Sequence, residues 1–166
     1  FKDVNFEIIE AKFTKGSGKS KSTIFDGVII KLDMNKSFNG RTVIRPNTLL
    51  HSSPSPILKH TELEDINFEK KFDVFTDDEV EARYLITPSF MERLKNLETA
   101  FGTKNLKCSF FKDKIMFAIS TDVDLFEFGS MYHSMNNSKE AETTYNQIKS
   151  IQNMIKHFKL SEKTGL

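Results

Sequence analysis

Two apolar rhythms run along this chain, one of period two and one near three and a half, and each change between them marks the boundary of an element. Over residues 5–13 the apolar positions Phe6, Ile8, Ala11 and Phe13 fall among Glu and Lys, a strand pattern with one break in phase. The run KGSGKSK at 15–21 is a turn. Residues 23–34 then resume with Phe25, Val28, Ile30, Leu32 and Met34, so the two segments predict a hairpin. After a second turn over 35–40, the segment RTVIR at 41–45 predicts a third strand, ended by Pro46, which has no amide hydrogen for a ladder. Residues 51–60, HSSPSPILKH, read as a surface loop, and residues 63–71 as a short helix with Asp65 as its cap.

Further along, Phe72, Val74 and Thr76 alternate into Asp77-Asp78, and Val80, Ala82, Tyr84 and Ile86 alternate out of it, which predicts a hairpin with a polar tip. At Ile86 the period lengthens. Thr87 suits an N-cap, Pro88 the first helical position and Gly102 a left-handed close, while Phe90, Leu94, Leu97 and Phe101 form one helical stripe. Residues 106–111 and 114–120 make another hairpin across Lys112-Asp113. Asn137 to Glu140 has capping-box spacing, and the helix after it carries Ala141, Tyr145, Ile148, Ile151, Ile155 and Phe158 on one face. The pattern predicts a single α+β domain over 1–166: about seven strands, mostly antiparallel, with an inserted helix and a C-terminal helix. A partly open barrel and a sandwich both accommodate it.

Composition narrows the function classes. A chain of 166 residues buries roughly 70% of its unfolded surface without needing staples. Sixteen Phe and no Trp imply a core of phenyl rings. The net charge of +1 gives no case for a nucleic-acid binder, although the charge is uneven. Residues 1–59 carry ten basic and five acidic groups, 60–100 carry five and eleven, and 101–166 carry nine and seven. Solvated surface charge is the ordinary account of that acidic middle. Cys108, the sole cysteine, shares a strand face with Leu106 and Phe110 and reads as a buried thiol, leaving neither a disulfide nor a thiolate zinc cluster. No apolar run reaches the length of a membrane span and no signal-peptide pattern opens the chain, which starts at Phe1 without Met. The expectation is the soluble part of a longer protein.

Candidate chemistry is sparse. Gly18-Lys19-Ser20 reads like the tail of a phosphate loop, but Phe13 stands where the first glycine is required and a strand follows instead of a helix. The histidines His51, His60, His133 and His157 show no ligand spacing. His60, Glu62 and Glu64 together, or Asp77, Asp78 and Glu79 at the hairpin tip, offer cation ligands in composition only, and solvated turns explain both. Glu81 and Arg83, two apart on a predicted strand, share a face and suggest a structural ion pair. No nucleophile elbow frames any serine. The reading therefore assigns no catalytic residue, no metal and no cofactor.

Several spaced motifs carry a family resemblance: Phe25-Asp26-Gly27, Gly40-Arg41-Thr42-Val43, Leu63-Glu64-Asp65 with Phe68-Glu69-Lys70, Val80-Glu81-Ala82-Arg83-Tyr84 before Thr87-Pro88, and DLFE at Asp124 to Glu127. In these the chain, from about Phe25 to Leu160, resembles a bacterial domain-of-unknown-function family, three-one-three-seven. Asp78-Glu79 departs from that family's Asp-Gln, and Leu160-Ser161-Glu162-Lys163 from its usual close. The resemblance implies a membrane-anchored protein with hydrophobic segments upstream, this domain on the cytoplasmic side, and no assigned activity. Arg41, Glu81 and Arg83 become candidates for binding. The function expected is a non-enzymatic binding or scaffolding domain with a protein or peptide partner. The alternatives are a hydrolase or metal-dependent enzyme assembled from dispersed Asp, Glu and His, and a peptide-binding domain using a sheet edge.

Overall fold

A computed structural model of the chain describes residues 5–35, 37–48, 50–121 and 138–163. Alternation of apolar and polar residues becomes seven strands: β1 (Asn5–Lys15), β2 (Ser22–Asp33), β3 (Thr42–Pro46), β4 (Lys59–Thr61), β5 (Phe72–Thr76), β6 (Leu106–Phe111) and β7 (Lys114–Ser120). They form one sheet in the order β1-β2-β7-β6-β3-β5-β4, with every neighbour antiparallel. The sheet is open, with β1 and β4 at its edges, so neither the barrel nor the sandwich is formed. The helices are α1 (Ile66–Glu69), α2 (Glu79–Leu85), α3 (Pro88–Phe101) and α4 (Ser138–Lys163).

Register places the apolar set on one face. Val28, Ile30 and Leu32 of β2 stand opposite Ile119, Phe117 and Ile115 of β7, which in turn oppose Leu106, Cys108 and Phe110 of β6. Ile44 continues the row to Val74. All of these are buried, and α3 and α4 close over them through Phe90 and Phe158, whose rings meet Phe110 at 5.6 and 6.2 Å. The expected phenyl core is present, and Cys108 lies within it, where burial pushes the thiol well up from its ordinary value. On α4 the buried face carries Ile151, Met154, Ile155 and Phe158, with Gln147; Tyr145 and Ile148, assigned to that stripe from spacing, are exposed. The capping box beginning at Asn137 and the DLFE motif lie outside the described residues.

Local chemistry fixes the ends of α3. Thr87 Oγ1 accepts from the Phe90 amide at 3.2 Å, Pro88 occupies the first turn, and Gly102 closes the helix at φ +60°. The short α1 forms where Asp65 predicted it, with Asp65 Oδ1 accepting from the amides of Asn67 and Phe68. Lys95 Nζ donates to the other oxygen at 3.0 Å, and this bond, with the Phe68 amide next, holds the Asp65 carboxyl below its ordinary range. A lowered folded pKa means that the contribution of Asp65 to stability is present above the unfolded value, near 3.9, and fades as pH falls through the folded one. Asp65→Ala is thus expected to lower the urea midpoint at pH 7, and the gap to the parent chain is expected to close on acidification below about pH 4. A gap that stays constant through that range would contradict the assignment.

The segment 79–86 differs from its expected strand. It is α2, because Asp78 Oδ1 accepts from the Glu81 amide at 3.0 Å and nucleates a helix there. Ala82 and Ile86, four apart, are buried, while Val80 and Tyr84 face solvent. A returning strand also has no place to pair, since β5 is flanked by β3 on one side and β4 on the other. The count of seven survives because 59–61, expected in a loop, is the edge strand β4.

Candidate sites at the two edges of the sheet

The three candidate binding residues part company in the structure. With 79–85 helical, Glu81 and Arg83 diverge instead of sharing a face. Arg83 pairs with Glu79 one turn earlier, Nη2 to Oε1 at 2.8 Å, on the exposed side of α2. Glu81 is half-buried, and its two carboxylate oxygens accept from the amides of Asn39 and Gly40 at 2.9 and 2.8 Å. Asp77 Oδ1 takes the next amide, that of Arg41, at 2.6 Å. Successive amides of the loop before β3 are therefore clamped by acids at the start of α2. A side chain at Gly40 would force the latch to shift, since a Cβ there would lie 2.6 Å from Asp78 Cβ as well as from Asp77 Oδ1. The Arg41 guanidinium sits over the Phe111 ring at 4.1 Å. Glu81 and the backbone of Arg41 thus belong to one structural latch, and of the acids read together at the tip, Asp77 and Asp78 each place Oδ1 on a backbone amide while Glu79 pairs with Arg83. Gly18-Lys19-Ser20 is a single 3₁₀ turn between β1 and β2.

β1 forms the first edge. It runs for 11 residues against β2, and among the described residues no strand pairs with its other side. Ile9 and Phe13 project on one face and Phe6 on the other, at 46, 52 and 39% exposure, and the Phe13 ring lies 5.8 Å from Phe25. Charges are interleaved: Glu7 pairs with Lys31 at 3.0 Å and Lys12 with Asp26. A bulge at Phe13/Thr14 bends the far end.

The opposite edge carries a constellation that sequence spacing did not reveal. β5 is buried on both faces, and its core-averted side chains are Asp73 and Phe75. β4 brings His60 opposite Phe75, its ring edge-on at 5.4 Å, and the loop after β3 brings in His51, whose φ is +40°. Asp73, with 1% of its side chain exposed, holds Oδ2 on the Thr48 amide at 3.1 Å. Its Oδ1 faces His51 Nδ1 at 2.8 Å and His60 Nε2 at 3.6 Å. The two imidazole rings are 4.6 Å apart. Beside them lies a cavity of about 190 Å³, lined also by Asn47, Glu62 and Glu69. His157 lies elsewhere, half-buried against Phe90 and Phe158, and that burial, with Arg93 near, lowers its pKa. A wider groove of about 900 Å³ between α3 and α4 is lined mainly by amides and hydroxyls, with Arg93 there turned onto Ser89.

These features define an α+β domain built on an open antiparallel sheet with helices packed on one face. The chain belongs to the family described as "Protein of unknown function (DUF3137)", whose model matches residues 23–160. No curated protein matches the sequence. Among solved structures, the crystal structure of the mycobacterial trehalose monomycolate transport factor A is similar at a TM-score of 0.45 and 8% identity, over 87% of this chain and 67% of that one. Among the described residues, no helix is long and apolar enough to cross a membrane.

Proposed function

We propose that this chain is a non-enzymatic binding module of a membrane-associated bacterial protein, and that it takes an extended segment of a partner protein along the outer edge of β1. The outer side of β1, 11 residues long and paired with no strand among the described residues, carries the reading. A strand edge presents a row of unsatisfied amides and carbonyls, and an added strand satisfies them while side chains on either face supply selectivity. Phe6, Ile9 and Phe13 offer apolar contacts on both faces. Glu7, Glu10, Lys12 and Lys15 intersperse charges of both signs, which discourages indiscriminate pairing and favours a segment of matching pattern. Membrane attachment in this reading belongs to segments outside the chain, with the domain on the cytoplasmic side.

The test is site-directed photo-crosslinking in native membranes. Crosslinkers at Ile9 and Phe13 are expected to trap one partner, which a synthetic peptide of the trapped segment displaces. A crosslinker at Tyr145, exposed on α4, is expected to trap nothing comparable. Equal trapping at all three positions, or none at β1, overturns the proposal.

A further inference from the structure

We infer that His51, His60 and Asp73 form a binding site for one divalent transition-metal ion of the zinc class, with a coordination position open to the cavity beside β5. The donor set is the first argument. Two imidazoles and one carboxylate suit zinc, cobalt and ferrous iron, and three protein ligands with a vacant position distinguish reactive or exchangeable sites from closed structural ones.

Geometry is the second. One donor atom from each residue lies within 4.8 Å of the others, and Asp73 Oδ1 is 2.8 and 3.6 Å from the two imidazole nitrogens. Metal–ligand bonds of roughly 2.0–2.2 Å in a tetrahedron set the donors roughly 3.3–3.5 Å apart. The Asp73–His60 separation already meets that requirement, while the two imidazoles, whose donor atoms lie within 4.8 Å of each other, reach it by small ring movements, His51 backing off Asp73 Oδ1 as it turns towards His60. The carboxylate is already aimed, because the Thr48 amide occupies Oδ2 and leaves Oδ1 to both histidines. Outer hydrogen bonds of this kind orient ligands in known metal centres. Two of the three ligands stand on paired strands, β4 and β5, and the third on the loop that joins β3 to β4, so the sheet holds two of the ligands.

Charge is the third. Asp73 is buried, and a buried carboxylate calls for a cationic or strongly hydrogen-bonding partner. Its cross-strand neighbour Arg45 lies instead over the Phe75 ring at 4.6 Å and donates to the Ser52 carbonyl. A divalent ion between the histidines would neutralise Asp73 where Arg45 does not. The cavity of about 190 Å³ holds more than one water, whose share of liquid volume is about 30 Å³. A ligand or water thus has room at the fourth position. This site sits at the β4 edge, across the sheet from β1, and stands or falls independently of the strand-addition reading.

Chelator-treated protein titrated with Zn²⁺ by calorimetry, and with Co²⁺ by visible absorption, is expected to bind one ion per chain and to give the d–d bands of a low-coordinate cobalt site. His51→Gln and His60→Gln are each expected to weaken binding by more than the roughly 10–100-fold typical of losing an outer-shell partner. Both side chains are partly exposed, at 47 and 31%, so the fold is expected to persist by circular dichroism. Imidazole resonances of the unaltered chain give a second readout: Zn²⁺ is expected to shift His51 and His60 and to leave His157 unmoved. Absence of saturable binding, parental affinity in the double variant, or a shift confined to other histidines overturns the inference.

Discussion

Phe110→Ala is expected to lower the free energy of unfolding by about 3–5 kcal/mol. The ring is fully buried on β6 and meets Phe38 edge-on at 5.5 Å, Phe90 at 5.6 Å and Phe158 at 6.2 Å. One side chain therefore joins the loop before β3, α3 and α4 to the sheet, and no neighbour can fill its volume without leaving its own contacts. Against a whole-domain stability of roughly 5–15 kcal/mol, such a loss is a large fraction. In a chain of this size each kcal/mol moves the thermal midpoint by about 2–4 °C. The adjacent Phe111→Ala supplies the contrast. That ring is on the other face, partly exposed under the Arg41 guanidinium, and its cation–π contact contributes about 0.5–1 kcal/mol. Urea unfolding of both variants reads the register directly: similar losses for the two neighbours would show that the faces of β6 are wrongly assigned.

What was legible in the sequence was local. The β1/β2 and β6/β7 hairpins, the Thr87-Pro88 start and Gly102 close of α3, and the Asp65 cap all depend on residues within a few positions of one another, and all are where the pattern put them. The failure at 79–86 has the same physical root. Val80, Ala82, Tyr84 and Ile86 alternate, but so short a run also contains the Ala82 and Ile86 pair of a helix face, and the choice was made by β3 and β4 taking both sides of β5. That choice is non-local. It moved Glu81 from a supposed ion pair with Arg83 to the amides of Asn39 and Gly40, more than forty residues back along the chain. The His51–Asp73 contact spans 22 residues, and His60 joins it only through β4, a strand too short to leave an alternating signature. Dispersed histidines therefore read as isolated ones. The family resemblance, by contrast, was legible because it rests on ordered motifs and not on pairing, and the matched residues 23–160 contain all of them.

Gly27→Ala is expected to be damaging for the opposite reason, by adding an atom instead of removing a ring. Gly27 lies in β2 at φ +150°, between Ala11 of β1 and Ser120 of β7. A Cβ there would stand 2.1 Å from the carbonyl oxygen of Ile119 and 2.7 Å from the amide nitrogen of Thr121, and both are backbone atoms that no rotamer change can move aside. Backbone strain of roughly 1–3 kcal/mol and overpacking of roughly 1–3 kcal/mol combine to about 2–6 kcal/mol. The damage should be directional. β1 is attached to the sheet through β2 alone among the described strands, so a displaced β2–β7 ladder loosens β1 first. Amide hydrogen exchange is expected to show protection lost over β1 and the Gly27 end of β2 while β3, β5 and β6 keep theirs in the folded fraction. Crosslinking at Ile9 and Phe13 should fall with it, whereas Zn²⁺ binding at the β4 edge should persist in the folded fraction. A variant with the parental midpoint and intact β1 protection would mean that β2 and β7 do not approach as closely as this register requires.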